Sequence, residues 1–313
     1  MPAELPLPRL IERLPNVRGT LEESVSLARF TWFKVGGPAE VLFRPAGRDD
    51  LVEFLRGKPA DVPITVIGMA SNLLIRDGGV NGVVIRLGRE FSGITVEGTE
   101  IVAGAGAAGI NVARRARDEG IAGLEFMAGI PGAVGGSISM NAGAYGREMK
   151  DIVVSVEAVS DAGETCELSV ADLKFRYRHC GAGDKIFTAA RLAGERGVKS
   201  EIGERMSEIQ TEREDTQPVK TPTGGSTFAN PPNAKAWELI EEAGCRGLTR
   251  RGAMVSDKHC NFLINSGDAT AADLEGLGEE VRRRVKAETD VLLEWEIRRI
   301  GVAAGSGPEE VTS

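Results

Sequence analysis

Aromatic residues are scarce in this chain. Phe, Trp and Tyr make up 5% of its 313 residues, and only two histidines, His179 and His259, are present. The four cysteines, Cys166, Cys180, Cys245 and Cys260, show no Cys-x-x-Cys spacing. With so few histidines beside them they assemble no zinc site, and they read as reduced structural thiols rather than a disulfide framework. No apolar run approaches the roughly 20 residues of a membrane-spanning helix. The first fifteen residues, MPAELPLPRLIERLP, lack the basic start and apolar stretch of a secretory signal, so a cytoplasmic location is expected. Basic excess is missing too: the net charge is −8, a field that repels polyanions and makes nucleic acid or an acidic membrane surface a poor partner. A small anion held by a few local arginines is compatible with that field. No internal repeat is visible.

What is plentiful is glycine, 40 residues, nearly twice the roughly 7% of average usage. The glycines fall in clusters between apolar runs, at 36–37, 68, 78–82, 104–109, 129–146 and 224–225. That is the placement expected of loops that bring backbone close to an extended polar ligand.

Hydrophobic periodicity divides the chain. TWFKVGGPAEVLFRP reads as a strand, a Gly-Gly-Pro turn and a second strand, and residues 48–56 as a helix. Ile64–Ile67 and Val83–Leu87 read as buried strands, FSGITVEGTEIVAGAG as a hairpin, and Asn111–Glu119 as a basic amphipathic helix closed by Gly120. DIVVSVEAVSDAGETCELS is a second hairpin and KIFTAARLA a further strand. The charged run 199–215 has helical period and is taken to lead into a new domain, with the boundary near 200. Beyond it come a helix at 234–243, a strand at Phe262–Asn265 and a long helix at 271–289, capped by Asp268 or Thr270. VLLEWEIRRIG then switches to period two, with Val291, Leu293, Trp295 and Ile297 on one face and Leu292, Glu294, Glu296 and Arg298 on the other.

Gly104, Gly106 and Gly109 spell the dinucleotide-binding fingerprint GxGxxG, with Glu125 at a suitable distance. The segment after the helix, GLEFMAGIPG, is too short and glycine-rich for the second strand of a βαβ unit, so we read these glycines as a tight strand-to-helix turn. Two other loops are more informative: GMASNLLIRDGG and GIPGAVGGSISMNAGAYG. Each offers runs of small residues whose N–H groups, with Ser or Asn side chains, suit a diphosphate without needing lysine.

At this point the chain resembles the UDP-N-acetylenolpyruvoylglucosamine reductases of peptidoglycan synthesis. The resemblance rests on TWFKVGGPAE, GMASNLLIRDGG, GLEFMAGIPGAVGGSISMNAGAYG, FRYR, QPVKTPTGGSTFANP, AWELIEEAGCRG, VSDKHCNFLIN and LEWEIRRIG, in the family's order from about residue 30 to 301. The KHCNF segment and the short passage after FRYR match the compact class, which lacks a tyrosine-bearing insertion. The resemblance implies an α+β fold: a two-lobed FAD-binding domain of the vanillyl-alcohol-oxidase type, then a C-terminal α/β substrate-binding domain. The expected units are 1–80 and 81–200 for the lobes, 201–302 for the substrate domain, and 303–313 for a loose tail.

The implied chemistry uses noncovalent FAD, NADPH as hydride donor, no metal and no obligate protein partner. The substrate is the enolpyruvyl ether of UDP-N-acetylglucosamine. Hydride addition to an enol ether needs cationic or proton-donating groups on the adjacent carboxylate, and a separate acid must protonate carbon. By motif position Ser226 is that acid, while Arg178 and Glu296 stabilise the enolate. Cofactor contacts fall on Gly68, Ser71, Asn72, Leu73, Gly129, Ile130, Pro131, Gly132, Gly135, Gly136, Ser137, Asn141 and Gly143. Tyr145, Arg213, Asn230 and Arg298 fall to the substrate.

Each assignment has a plainer rival. Ser226 after two glycines could cap a turn, Arg178 could lie on a solvated strand face, Glu296 could form a surface pair with Arg298, and Tyr145 could be packing. His259 reads as structural. The chain departs from the family pattern at Met69 and Ala70, where a further glycine is usual, at Ala229, often basic, and at Cys180, commonly serine. Two other readings compete for the whole: a flavin oxidase of the same fold, and a noncatalytic sugar-nucleotide sensor.

Overall fold

The computed structural model describes residues 8–305. Its first sheet orders the strands Thr20–Ser26, Pro38–Arg44, Val80–Arg86 and Ile64–Ile67, the first pair antiparallel and the others parallel. The inner strands are apolar on both sides because both faces are covered. Val41, Phe43, Val83 and Ile85 share a core with Leu51, Phe54 and Leu55 of the helix Arg48–Gly57, whereas Leu42 and Val84 pack with Leu27 and Ile67. The polar strand TLEESVS at the sheet's edge has no counterpart in the sequence reading. Residues 31–35, expected as a strand, form bends and turns instead. The reason is packing: Phe33 and Val35 leave the first sheet and bury themselves in the C-terminal core.

The second sheet has five antiparallel strands, ordered Thr165–Ser169, Val153–Val159, Ile186–Ala193, Glu100–Gly104 and Ile94–Glu97. With antiparallel neighbours on both sides, Glu100–Gly104 is not the parallel mid-sheet strand a dinucleotide fingerprint requires. Glu125 is likewise occupied, accepting the Gly123 N–H at 2.7 Å and pairing with Arg205 at 2.7 Å. The helix Lys199–Thr216 sends Ile202, Met206 and Ile209 into the core of this lobe. The boundary expected near 200 therefore falls at the start of a helix that packs on the preceding unit. The boundary expected at 80 falls at the start of Val80–Arg86, an inner strand of the first sheet.

In the C-terminal domain four antiparallel strands, Thr223–Ser226, Phe262–Asn265, Ala253–Val255 and Thr249–Arg250, share a core with the helices Ala236–Glu242 and Ala271–Thr289. Phe262–Asn265 and Ala271–Thr289 have the bounds read from the sequence. Thr270 caps the long helix reciprocally with Asp273. The carboxylate of Asp77, from the first lobe, accepts the N–H groups of Ala271 and Ala272, both at 2.9 Å. The final strand, Arg298–Ile300, leaves this domain and pairs in parallel with Leu73–Ile75 of the first lobe. Before it, residues 291–297 keep the expected alternation without a ladder. Leu293 and Ile297 are buried and Leu292 is exposed, with one bridge between Phe228 and Trp295. The expected tail is described only as far as residue 305.

Candidate active site

A cavity of about 850 Å³ opens where the two lobes and the last strand meet. Its walls include the first glycine loop (Gly68 to Leu73), the second (Ile130 to Ser137), the stretch 182–187, and Arg298 with Ile300. All but three of the thirteen residues assigned to the cofactor lie on it. The exceptions have other work. Gly129 lies beneath the Tyr145 ring, where an added Cβ would stand 2.5 Å from Cε2. Asn141 is fully buried; its amide donates to the Arg176 carbonyl at 3.0 Å, and its oxygen accepts the Lys150 N–H at 2.9 Å. The Gly143 carbonyl accepts from Arg178 Nη2 at 3.2 Å.

The donor set of the cavity suits an anionic dinucleotide. In the short helix Val134–Ser139 the N–H groups of Val134, Gly135 and Ser137 go to the carbonyls of Ala107, Ala105 and Ala133. That leaves the first-turn N–H of Gly136, where a Cβ would meet nothing within 4 Å and side-chain space is left to a ligand. Ala70, in the loop that usually carries a further glycine, holds φ = +50°, a conformation that strains an L-residue. Cys180 and Lys185 also line the cavity and were not assigned to it. The Gly-Ala-Gly run at 181–183 was the available signal. The Cys180 thiol donates to the Leu173 carbonyl, and burial pushes its pKa up.

Arg178 and Glu296, distant in sequence, form an ion pair, Nε to Oε1 at 3.1 Å; neither lines the cavity, whereas Asn72, Cys180 and Arg298 beside them do. Arg178 is not on a strand. Reciprocal backbone hydrogen bonds between Arg176 and His179 make a tight turn with Arg178 at φ = +52°, and its guanidinium lies over the Tyr177 ring at 4.9 Å. The Glu296 side chain is only 12% exposed. Burial raises its pKa above the ordinary carboxyl value, and Arg178 offsets part of that rise. The Glu296 N–H donates to Thr227 C=O at 2.9 Å, so the segment following Ser226 runs directly beside it. The two glycines before Ser226 have separate reasons. A Cβ on Gly224 would stand 2.3 Å from Phe33, and Gly225 has φ = +82°.

Tyr145 and Arg213 come together on the helix Lys199–Thr216. The Tyr145 hydroxyl donates to Ile209 C=O at 3.1 Å. Arg213 donates to Gln217 at 3.2 Å, and burial lowers its pKa. Among the described residues no carboxylate forms a salt bridge with Arg213, which keeps its charge available to an anion. Asn230 is exposed, and its side-chain oxygen accepts the Ala236 N–H at 2.9 Å at the start of a helix. Arg298 lies on the cavity rather than away from it. His259 packs edge-on against Phe262, with its pKa lowered by burial. No group of three His, Cys, Asp or Glu side chains among the described residues is arranged to hold a metal, and no described helix is long and apolar enough to cross a membrane.

Residues 39–169 match the family model of an FAD binding domain. Together with the cavity and the part-buried Arg178–Glu296 pair, that match defines a flavin-dependent oxidoreductase with the α+β, two-lobe-plus-C-terminal-domain architecture expected. Residues 217–300 match the C-terminal domain of UDP-N-acetylenolpyruvoylglucosamine reductase. The reductase of that name from Parvibaculum lavamentivorans is 58% identical over 95% of this chain and 96% of its own length. The Azorhizobium caulinodans reductase is 56% identical over 95% and 97%. The crystal structure of UDP-N-acetylenolpyruvylglucosamine reductase from Thermus caldophilus superposes with a TM-score of 0.78 at 37% identity, covering 90% of this chain and 99% of that one. This chain belongs to the UDP-N-acetylenolpyruvoylglucosamine reductase family.

Proposed function

We propose that this protein reduces the enolpyruvyl ether of UDP-N-acetylglucosamine to UDP-N-acetylmuramate, with NADPH as reductant, in peptidoglycan precursor synthesis. The observation that carries this reading is the Arg178–Glu296 pair. Its members come from segments 118 residues apart, and the Glu296 main chain is bonded on one side to Asn72 of the cavity wall and on the other to Thr227, next to Ser226.

Bound FAD would supply the hydride chemistry, with NADPH as the source of reducing equivalents. The cavity's small residues and the free Gly136 N–H would hold the FAD. Cys180, protonated and hydrogen-bonded, is a poor nucleophile, which favours noncovalent binding. The rest of the chemistry falls to side chains. As the vinyl group is reduced, negative charge develops on the substrate carboxylate. Arg178 offers it a fixed cation, and Glu296, whose neutral form burial favours, offers it a proton in a hydrogen bond. Ser226 delivers the proton to the carbon next to the carboxylate. Tyr145, Arg213, Asn230 and Arg298 would orient the sugar nucleotide, with arginine meeting the diphosphate.

The packing suggests units that differ from the simple division. The first lobe runs through Val80–Arg86, the second includes the helix Lys199–Thr216, the substrate domain begins at 217, and Arg298–Ile300 returns to the first lobe. A cytoplasmic location follows from the use of NADPH.

Ser226→Ala tests the assignment. In anaerobic stopped-flow, flavin reduction by NADPH should stay within about twofold of wild type, while reoxidation by the enolpyruvyl sugar nucleotide slows by about 10²-fold or more, the range of a lost general acid. Equal losses in both half-reactions would overturn it.

A further inference from the structure

Asn72 belongs to the first glycine loop and lines the cavity, yet its side-chain amide points to protein. Nδ2 donates to the main-chain carbonyl of Glu296 at 3.0 Å and lies 3.4 Å from Met140 Sδ. The Asn72 carbonyl accepts the Arg298 N–H at 3.1 Å. Asn72 therefore holds the chain on both sides of Ile297. From the opposite side the Glu296 N–H is bonded to Thr227, the residue after Ser226. The adjacent Ser71 hydroxyl donates to Pro131 C=O at 2.9 Å and ties the first glycine loop to the second. One short stretch thus joins both cavity loops to the backbone that carries the buried carboxyl.

We propose that Asn72 is a positioning residue for Glu296: its amide holds the Glu296 main chain, and through it the carboxyl, in register with the flavin-side loop. The proposal rests on Glu296 acting in substrate reduction. With its carbonyl held by Asn72 and its N–H by Thr227, the Glu296 backbone has little room to rotate, so the carboxyl's reach is set by side-chain torsions alone. Releasing one end lets the carboxyl drift from Arg178. Flavin reduction by NADPH does not use that carboxyl and is indifferent to the drift.

The test uses flavin-loaded Asn72→Asp, which keeps the size and removes the donor, alongside Asn72→Ala, Glu296→Gln and the Asn72→Asp/Glu296→Gln double variant. Expected for Asn72→Asp is a sugar half-reaction slowed about tenfold more than the NADPH half-reaction measured on the same flavin-loaded variant, as loss of a net hydrogen bond of about 1–1.5 kcal/mol implies. Hydrogen exchange of a 294–300 peptide should rise while that of 253–265 does not. In the Glu296→Gln background the Asn72 change should cost little further, since it acts through that carboxyl. Loss of flavin from both Asn72 variants would overturn the proposal by assigning the amide to the cofactor. So would a sugar half-reaction at wild-type rate, or effects that multiply in the double variant. If Glu296→Gln alone leaves the sugar half-reaction unchanged, the catalytic reading fails first, whatever Asn72 does.

Discussion

Replacing Gly129 by alanine separates a cofactor role from a substrate-side role at one position. The added Cβ would stand 2.5 Å from Cε2 of Tyr145 and 3.0 Å from Cγ2 of Ile209, where ordinary contact begins at 3.4 Å. The aromatic ring must retreat by about 1 Å, an overpacking that typically costs about 1–3 kcal/mol. The Tyr145 hydroxyl bond to Ile209 C=O then lengthens, forfeiting about 1 kcal/mol more. A fold stable by roughly 5–15 kcal/mol tolerates this. Gly129 does not line the cavity and alanine keeps its backbone groups, so FAD affinity, read by flavin fluorescence, should change less than about twofold. If Tyr145 touches the sugar nucleotide, a displacement worth about 1.4 kcal/mol raises KM for it about tenfold, with the NADPH half-reaction unaltered. Tenfold weaker FAD binding with an unchanged KM would refute the reasoning and return Gly129 to the cofactor.

Glu296 gives a pH prediction whose sign follows from its surroundings. Burial raises its folded pKa, so the stability held by the neutral carboxyl is present below the ordinary carboxyl pKa and is lost as pH rises through the raised one. A sugar half-reaction that needs this proton should fall over the same rise. Arg178→Ala removes the one neighbour that lowers the pKa, so the descending limb should move to higher pH even as the maximal rate drops about 10²-fold or more; a limb that moves to lower pH counts against the assignment. Ala70→Gly should relieve the left-handed strain of about 1–2 kcal/mol, less about 0.5–1 kcal/mol of added unfolded-state entropy. The melting temperature of the apoprotein should therefore rise by a degree or two, and a fall would show that the buried methyl matters more than the strain.

Periodicity located what local sequence determines. The helix Ala271–Thr289 carries its own cap at Thr270, and Phe262–Asn265 is an apolar run with turn residues on both sides, so their bounds were readable. Thr20–Ser26 was not, because an edge strand whose only apolar residues are Leu21 and Val25 shows too little alternation to detect. The segment 31–35 misled for the opposite reason: its apolar residues serve a core that forms only with residues two hundred positions later. Motif resemblance marked Arg178 and Glu296, but the left-handed turn that aims the arginine is tertiary. The same limit explains Asn141 and Gly143. Their place in a glycine-rich motif suggested the cofactor, whereas their contacts support the Arg176–His179 turn and the arginine on it.

The pairing of Leu73–Ile75 with Arg298–Ile300 bears on how the molecule is made. Closing a loop of more than two hundred residues adds to the entropic cost of assembly, although that cost grows only logarithmically with length. Until Arg298–Ile300 has been made, the edge of Leu73–Ile75 has no partner strand. Since Arg298 and Ile300 also form part of the cavity wall, a nascent chain that stops short of them presents an incomplete pocket. A chain lacking Arg298–Ile300 should therefore bind cofactor poorly and expose the edge of Leu73–Ile75 to proteases and chaperones.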